Sequence, residues 1–443
     1  MANKKKSSIS RSASLVMLLT GVSRVLGFVR TAVFSSYFGG GGTADVLNLV
    51  FSIPNNLRKL MAEGALSSAF IPVLSTTVTE DDSNAESQKL FALLFTLQCI
   101  ILIPLSVLAV VFAPQIIGFF FDFPIPEQQV LGVELFRYLI HYSLLISLSA
   151  LFMGTLHAHG IFSVPAVTPL LFSISVIASI VFLEPKIGIY SMVFGVLFGG
   201  VVQLFFQLPL LLKIGYRRFI SIDFDNANFR LIIKRWIPVV LTSSIYTVNQ
   251  QISMFLASGL EVGSSTALLN ALIFWQLPFG IFSASIATVF FPSMSLFAAK
   301  NERDKLNNVV NLGLGSLFAL LIPSAVLLIT MGYPAISVAL QRGAYSADHS
   351  LLAAKVLVGY SFGLFSVAAF NFLQRLFYAL GQYRAPLFIA IVTMTIDVLL
   401  CICLRITYLR VVGLAVANSV AFSIGLVIMI IVVTKKYRIS IYK

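Results

Sequence analysis

Hydrophobic residues in this chain gather into runs of roughly 20, each long enough to cross a bilayer core of about 30 Å as a helix. Twelve such runs are predicted: 13–38, 46–74, 90–113, 131–156, 163–183, 188–212, 234–260, 266–296, 307–331, 351–380, 386–404 and 411–434. Prolines interrupt several of them, at Pro54, Pro165, Pro169 and Pro278. Spanning helices tolerate such breaks when neighbours re-satisfy the freed backbone groups. The pattern therefore predicts an all-α polytopic membrane protein. Its longest polar break, about Lys213 to Arg235, sets the expected domains: an N-terminal six-helix lobe over 1–212, a cytoplasmic linker over 213–235, and a C-terminal six-helix lobe over 236–443. Each half carries a similar passage after its fourth run, from Leu151 to Gly160 and from Leu373 to Gly381, followed by Pro165 and Pro386. That placement suggests a duplicated unit, two pseudo-symmetric lobes around a central cavity, which is a common transporter plan.

Composition agrees with the pattern. Of 443 residues, 58% are hydrophobic and 11% charged, whereas soluble domains carry about 25% charged residues. The formal charge of +13 raises the question of nucleic-acid binding. Position answers it. Of the 30 Lys and Arg, five (Lys186, Arg342, Lys355, Arg405, Arg410) fall in the expected outer loops. Six more (Arg24, Arg30, Arg58, Lys59, Arg137, Arg375) fall within or at the edges of runs, and the other nineteen fall in expected cytoplasmic segments. That asymmetry matches the positive-inside rule, with both termini cytoplasmic. The charge is topology, and no nucleic-acid partner is implied. The basic N-terminus (Lys4, Lys5, Lys6, Arg11) does not read as a signal peptide, because Arg24 and Arg30 interrupt the adjoining apolar stretch and no small-residue cleavage site closes it. Cys99, Cys401 and Cys403 show no metal or disulfide spacing, and His157 with His159 is a weak metal signal.

A charged side chain at the bilayer centre costs about 2.5–3.5 kcal/mol on insertion scales, so those that persist usually face a cavity. The first two runs hold Arg24, Arg30 and Arg58, with Ser23, Asp45 and Glu63 nearby. Guanidinium forks bind oxyanions bidentately, so such a cluster suits a phosphate-bearing ligand. The bland alternatives are snorkelling to an interface and pairing with Asp45 or Glu63. On a straight helix Arg24 and Arg30 point about 120° apart, so both would face inward only with a bend at Gly27. Asp397, inside the eleventh run, is protonated, paired, or a cation or proton site. Asn249, Gln250, Gln251 and Gln276 are candidates for a polar cavity in the second half or for interhelical glue. No HExxH, P-loop or GxSxG is present, so no enzymatic activity is expected.

The first 75 residues carry a contiguous pattern: Ser23-Arg-Val-Leu-Gly-Phe-Val-Arg30, then Thr43-Ala-Asp45, then Ile53 through Arg58 to Glu63, then Ala69 to Leu74. Together with His159 to Pro169, Gln276 to Phe282 and Arg375 to Gly381, this resembles the MurJ/MviN family of bacterial lipid II flippases, within the superfamily that includes multidrug exporters. The resemblance implies a multi-pass protein of the bacterial inner membrane with a cationic cavity between two lobes. It implies Arg24, Arg30 and Arg58 as residues for the diphosphate-sugar head, supported by Ser23, Asp45 and Glu63; the polar-cavity candidates Gln251 and Gln276 are added to that site as further substrate-binding residues. It implies lipid II or a similar polyprenyl-diphosphate-linked saccharide as substrate, membrane lipids and cell-wall synthesis or division proteins as partners, and no cofactor beyond coupling to membrane potential, Na+ or H+. Asp397 stands where some relatives place a cation-binding Asn. Two departures stand out: Leu272 and Ile273 occupy positions where relatives carry an Asn-Arg or Asp-Arg pair, and the chain reaches Lys443 without two further helices expected to cradle the lipid tail. A drug or solute exporter coupled through Asp397, and a non-transporting scaffold, are the alternatives.

Overall fold

A computed structural model describes residues 2–61, 65–80 and 84–437. They fold as α1 (Ala2–Phe38), α2 (Thr43–Met61), α3 (Ala65–Glu80), α4 (Ala85–Val111), α5 (Ala113–Phe120), α6 (Pro126–Leu139), α7 (Tyr142–Ala158), α8 (Ser163–Ile187), α9 (Tyr190–Lys213), α10 (Ala227–Ser258), α11 (Ser264–Pro278), α12 (Ala284–Ala299), α13 (Arg303–Leu340), α14 (Ala347–Ser361), α15 (Leu364–Ala379), α16 (Arg384–Arg405) and α17 (Arg410–Tyr437). The fold class is the one expected, all-helical among the described residues. Nine helical stretches there are long and apolar enough to span a membrane, or ten if α14 and α15, bent by 45°, count as one. These ten correspond to ten of the twelve predicted runs; the other two, 46–74 and 234–260, fall on α2 with α3 and on α10. Large apolar side chains such as Ile100, Leu108, Phe182 and Leu327 point outward. That is the arrangement a hydrocarbon solvent favours.

The prolines interrupt less than expected. Pro54 and Pro169 sit inside unbroken helices, and Pro165 falls in the first turn of α8, where its missing N–H is not needed. Only Pro278 changes the helix type: α11 passes through a π-helical turn, Phe279–Ser283, into α12. A proline that cannot donate is one route to such a local re-registration.

The chain divides into two compact units. The first is Met1–Gly39 with Val46–Gln251, and the second is Gly40–Asp45 with Ile252–Lys443. The division falls inside α10, not at the polar break 213–235. The reason is visible in the connection from Ile214 to Asn226, which is fastened onto the first unit. Tyr216 and Phe219 pack edge-on against Phe91 of α4, with ring centroids 5.3 and 5.7 Å away. The Ser221 N–H donates to Thr96 Oγ1 at 3.0 Å, Asn226 Nδ2 to Glu86 at 2.6 Å, and Lys89 pairs with Asp223 at 2.5 Å. A segment held this way is part of a domain, however polar it reads.

In the first unit α8 packs against α9 and α1, and α7 against α9. In the second, α16 packs on α17, and α14 on α11 and α13. Close approach there depends on small residues: a Cβ added at Gly425 of α17 would collide with Thr393 Oγ1 of α16. Lys355, expected in an outer loop, lies on the exposed face of α14.

Candidate functional site

The first unit encloses a cavity of about 390 Å³, within the range of roughly 300–1,000 Å³ usual for ligand pockets. α1 contributes Ser23, Gly27 and Arg30; α2 contributes Phe51, Asn55 and Arg58. α7 supplies Tyr142 and Ser149, α8 supplies Thr168, Phe172 and Ser173, and α9 supplies Gln203. Two other cavities are almost wholly apolar: a small one of about 30 Å³ between α4 and α10, and one of about 460 Å³ along α17 beside Phe362.

Helical geometry selects which arginines reach this space. Ser23, Gly27 and Arg30 follow the i, i+4, i+7 spacing that puts side chains on one face. α1 runs unbroken through Gly27, so Arg24, about 120° around the helix from Arg30, is turned away. It is exposed and does not line the cavity. In α2, Asn55 and Arg58 are one turn apart, and Arg58 Nε donates to Asn55 Oδ1 at 3.0 Å. The Arg30 guanidinium lies over the Phe172 ring, 5.2 Å from its centroid, an arrangement worth about 0.5–2 kcal/mol depending on desolvation. Among the described residues no carboxylate lines it. Two guanidiniums with no described acid in the same wall give a space suited to a multivalent anion.

The other expected site residues lie elsewhere. Asp45 does not attend the arginines. It is buried, 7% exposed, and accepts from the Gly263 N–H, from the Thr266 N–H at 2.8 Å and from Thr266 Oγ1 at 2.7 Å. It thereby caps the N-terminus of α11, whose own N-cap, Gly263, has no side chain to do so. Glu63 and the side chain of Lys59 lie outside the described residues. Gln251 joins helices: its Oε1 accepts from Asn56 Nδ2 at 2.9 Å and Ser52 Oγ at 3.2 Å. Gln276 is exposed and lines none of the three cavities.

Asp397 is 1% exposed, accepts from Asn418 Nδ2 of α17 at 3.1 Å, and lies 3.6 Å from Cys401 Sγ one turn on. No group of three or more His, Cys, Asp or Glu with metal-holding geometry occurs among the described residues. His159 is engaged otherwise, with Nε2 2.9 Å from the Tyr216 hydroxyl.

Sequence reasoning missed Tyr142, Ser149, Phe172 and Gln203. Three of these are unremarkable in an apolar run. Gln203, an amide flanked by Val201, Val202, Leu204 and Phe205, was the available signal, since an amide in hydrocarbon needs a polar reason to be there.

An apolar exterior, long helices and a polar cavity define a multi-pass helical membrane protein. The fold agrees: an inward-facing multidrug resistance MATE family transporter of the MOP superfamily superposes with a TM-score of 0.73 at 15% identity, over 97% of this chain and 98% of its own. A structure described as "Lipid II flippase MurJ, inward closed conformation" superposes with a TM-score of 0.82 at 28% identity, covering 95% of this chain and 87% of that one. The chain belongs to the lipid II flippase MurJ family, whose sequence signature matches residues 34–443. A relative from Borreliella burgdorferi, named a probable lipid II flippase MurJ, is 34% identical over 96% of this chain and 83% of its own length. One from Burkholderia cenocepacia, named lipid II flippase MurJ, is 28% identical over 86% and 75%.

Proposed function

We propose that this multi-pass inner-membrane protein moves lipid II from the cytoplasmic to the outer leaflet, with Arg30 and Arg58 holding the head-group diphosphate. The observation that carries the reading is the cavity that sets both guanidiniums in one wall, with no carboxylate among its described lining residues. Charge-assisted bonds to a phosphate are the strong ones, and the arginine fork matches oxyanion geometry. Neutralising the diphosphate lowers the cost of taking it through a low-dielectric interior without any bond being broken, which is the work of a carrier and not of a catalyst. Transport proceeds by exposing the cavity to one side of the membrane and then the other, with both termini cytoplasmic as the lysine and arginine asymmetry indicates. Net negative charge moving outward runs with an inside-negative potential, worth about 2.3 kcal/mol per charge per 100 mV. That makes the membrane potential a sufficient coupling source.

The test is flipping of lipid II in proteoliposomes, alongside complementation of a strain depleted of its own flippase. Arg30→Ala and Arg58→Ala are expected to insert and fold normally and to lose flipping. Wild-type flipping by both variants would overturn the assignment of the diphosphate to this cavity.

A further inference from the structure

An arginine that serves an anion has to be held still without being neutralised. A carboxylate beside Arg30 would hold it, but it would take N–H donors and cancel the charge that the anion needs. The structure holds Arg30 another way. Its guanidinium lies over the Phe172 ring, 5.2 Å from the centroid. A ring face attracts a cation through its quadrupole and leaves the guanidinium's five N–H groups to bond elsewhere. The ring is itself braced. Phe172 is buried, its centroid lies 5.5 Å from that of Tyr142 with the planes tilted by 34°, and Tyr142 lies 5.7 Å from Phe51. α9 makes room for the ring at Gly199, where an added Cβ would come within 2.8 Å of Phe172 Cδ2. Arg30, Phe172, Tyr142 and Phe51 all line the same cavity, so α1, α2, α7 and α8 converge on the seat of one guanidinium. Arg58 also meets a neutral group, Asn55, through its Nε.

We propose that Phe172 is a positioning residue for the anion site: its ring face holds Arg30 in the cavity with charge and donors intact, and Tyr142 and Phe51 brace the ring. The inference rests on the reading of Arg30 and Arg58 as the diphosphate site and deepens it. Without the seat Arg30 keeps its charge but loses its fixed placement, so the cost of ordering a long side chain falls on binding. The aromatic seat thus does the steadying that a salt bridge would do, and does it without competing with the ligand.

The experiment measures binding of undecaprenyl diphosphate to the purified full chain in nanodiscs, with phenylalanines carrying one, two or three ring fluorines placed at position 172. Each fluorine weakens the negative face of the ring while barely changing its shape. Affinity is expected to fall stepwise, reaching a loss of roughly three- to tenfold with three fluorines. Phe172→Leu, apolar but without a ring, is expected to lose at least as much, and the fluorinated series covers the case in which that variant does not fold. Coupling to Arg30 is the readout that a packing role would not move: repeated on Arg30→Ala, the series is expected to be flat. A flat series with Arg30 present would overturn the proposal. So would an equally steep series on Arg30→Ala, because the ring would then act on something other than Arg30. Failure of the underlying reading looks different: Arg30→Ala alone would then leave affinity for undecaprenyl diphosphate intact.

Discussion

The carboxylates of the second unit and the guanidiniums of the first unit's cavity are placed in contrasting ways. In the second, Asp45 meets three donors from the start of α11, and Asp397 accepts from Asn418 on the neighbouring helix. In the first, the cavity gathers Arg30 and Arg58 with no acid among its described lining residues. A buried polar group that its own fold satisfies stabilises that fold, and removing one partner is costly because the other is stranded. A charged group that lines a cavity remains available to a ligand. Intramembrane charge alone therefore does not mark a binding site. What marks it is like charge gathered around a space with no acid among its described lining residues.

The sharpest way to break that contrast is Asp45→Ala. It strands the Gly263 and Thr266 N–H groups at the head of α11, and the expected cost is about 3 kcal/mol, combining a lost cap with unsatisfied buried donors. Thermal unfolding in detergent reads the loss, and hydrogen exchange at residues 263–266 localises it. Asp45→Asn keeps one acceptor and is expected to cost about half as much. An unchanged melting temperature for the alanine variant would erase the distinction between the units. Arg58→Ala is expected to show the mirror image. Because Arg58 shares its wall with a like charge and hydrogen-bonds to the neutral Asn55, its loss is expected to cost clearly less stability than that of Asp45, while affinity for a polyprenyl diphosphate falls roughly 10- to 100-fold, the scale of a lost charged hydrogen bond. A large drop in stability would place Arg58 with Asp45 as a structural group.

Arg24 sharpens the comparison within a single helix. It shares the pattern that drew attention to Arg30, yet it sits on another face of α1 and outside the cavity lining. Arg24→Ala is expected to change diphosphate affinity less than threefold under conditions where Arg30→Ala loses it tenfold or more, and isothermal titration on the two variants decides. This residue also shows where the sequence was legible. Runs of about 20 apolar residues gave the helices, and 100° per residue already separated Arg24 from Arg30; only an assumed bend at Gly27 put them together. The capping role of Asp45 was not legible, because its partners lie 218 and 221 residues away. Local sequence carries no trace of such a contact. The boundary between units was misplaced for a related reason. Polarity between Lys213 and Arg235 reads as a linker, whereas the partners that fasten this stretch to α4 are set by tertiary packing.

That fastened connection supplies the smallest effect and shows that pairing, not membership of a unit, is what matters. It belongs to the first unit, yet its polar groups are satisfied. The Tyr216 hydroxyl meets His159, and burial pushes its pKa up to about 12. Burial also holds His159 below the usual histidine range. Because the folded state favours neutral His159, this group contributes stability above its unfolded pKa of about 6.5 and loses it as the pH falls from there through the folded value. Asp223, held below the usual carboxylate range by its bond to Lys89, contributes above about pH 4 and loses its part only in stronger acid. Between pH 7 and 5 the histidine is therefore the group in this pair of contacts that changes. Amide exchange over residues 214–224, corrected for its intrinsic pH dependence, is expected to quicken about two- to threefold across that interval, the scale of a fraction of a kcal/mol. The His159→Gln variant, which keeps a hydrogen-bonding group but does not titrate, should show a flat profile. Identical profiles for the two proteins would mean that the connection is held by Phe91 and its aromatic neighbours alone.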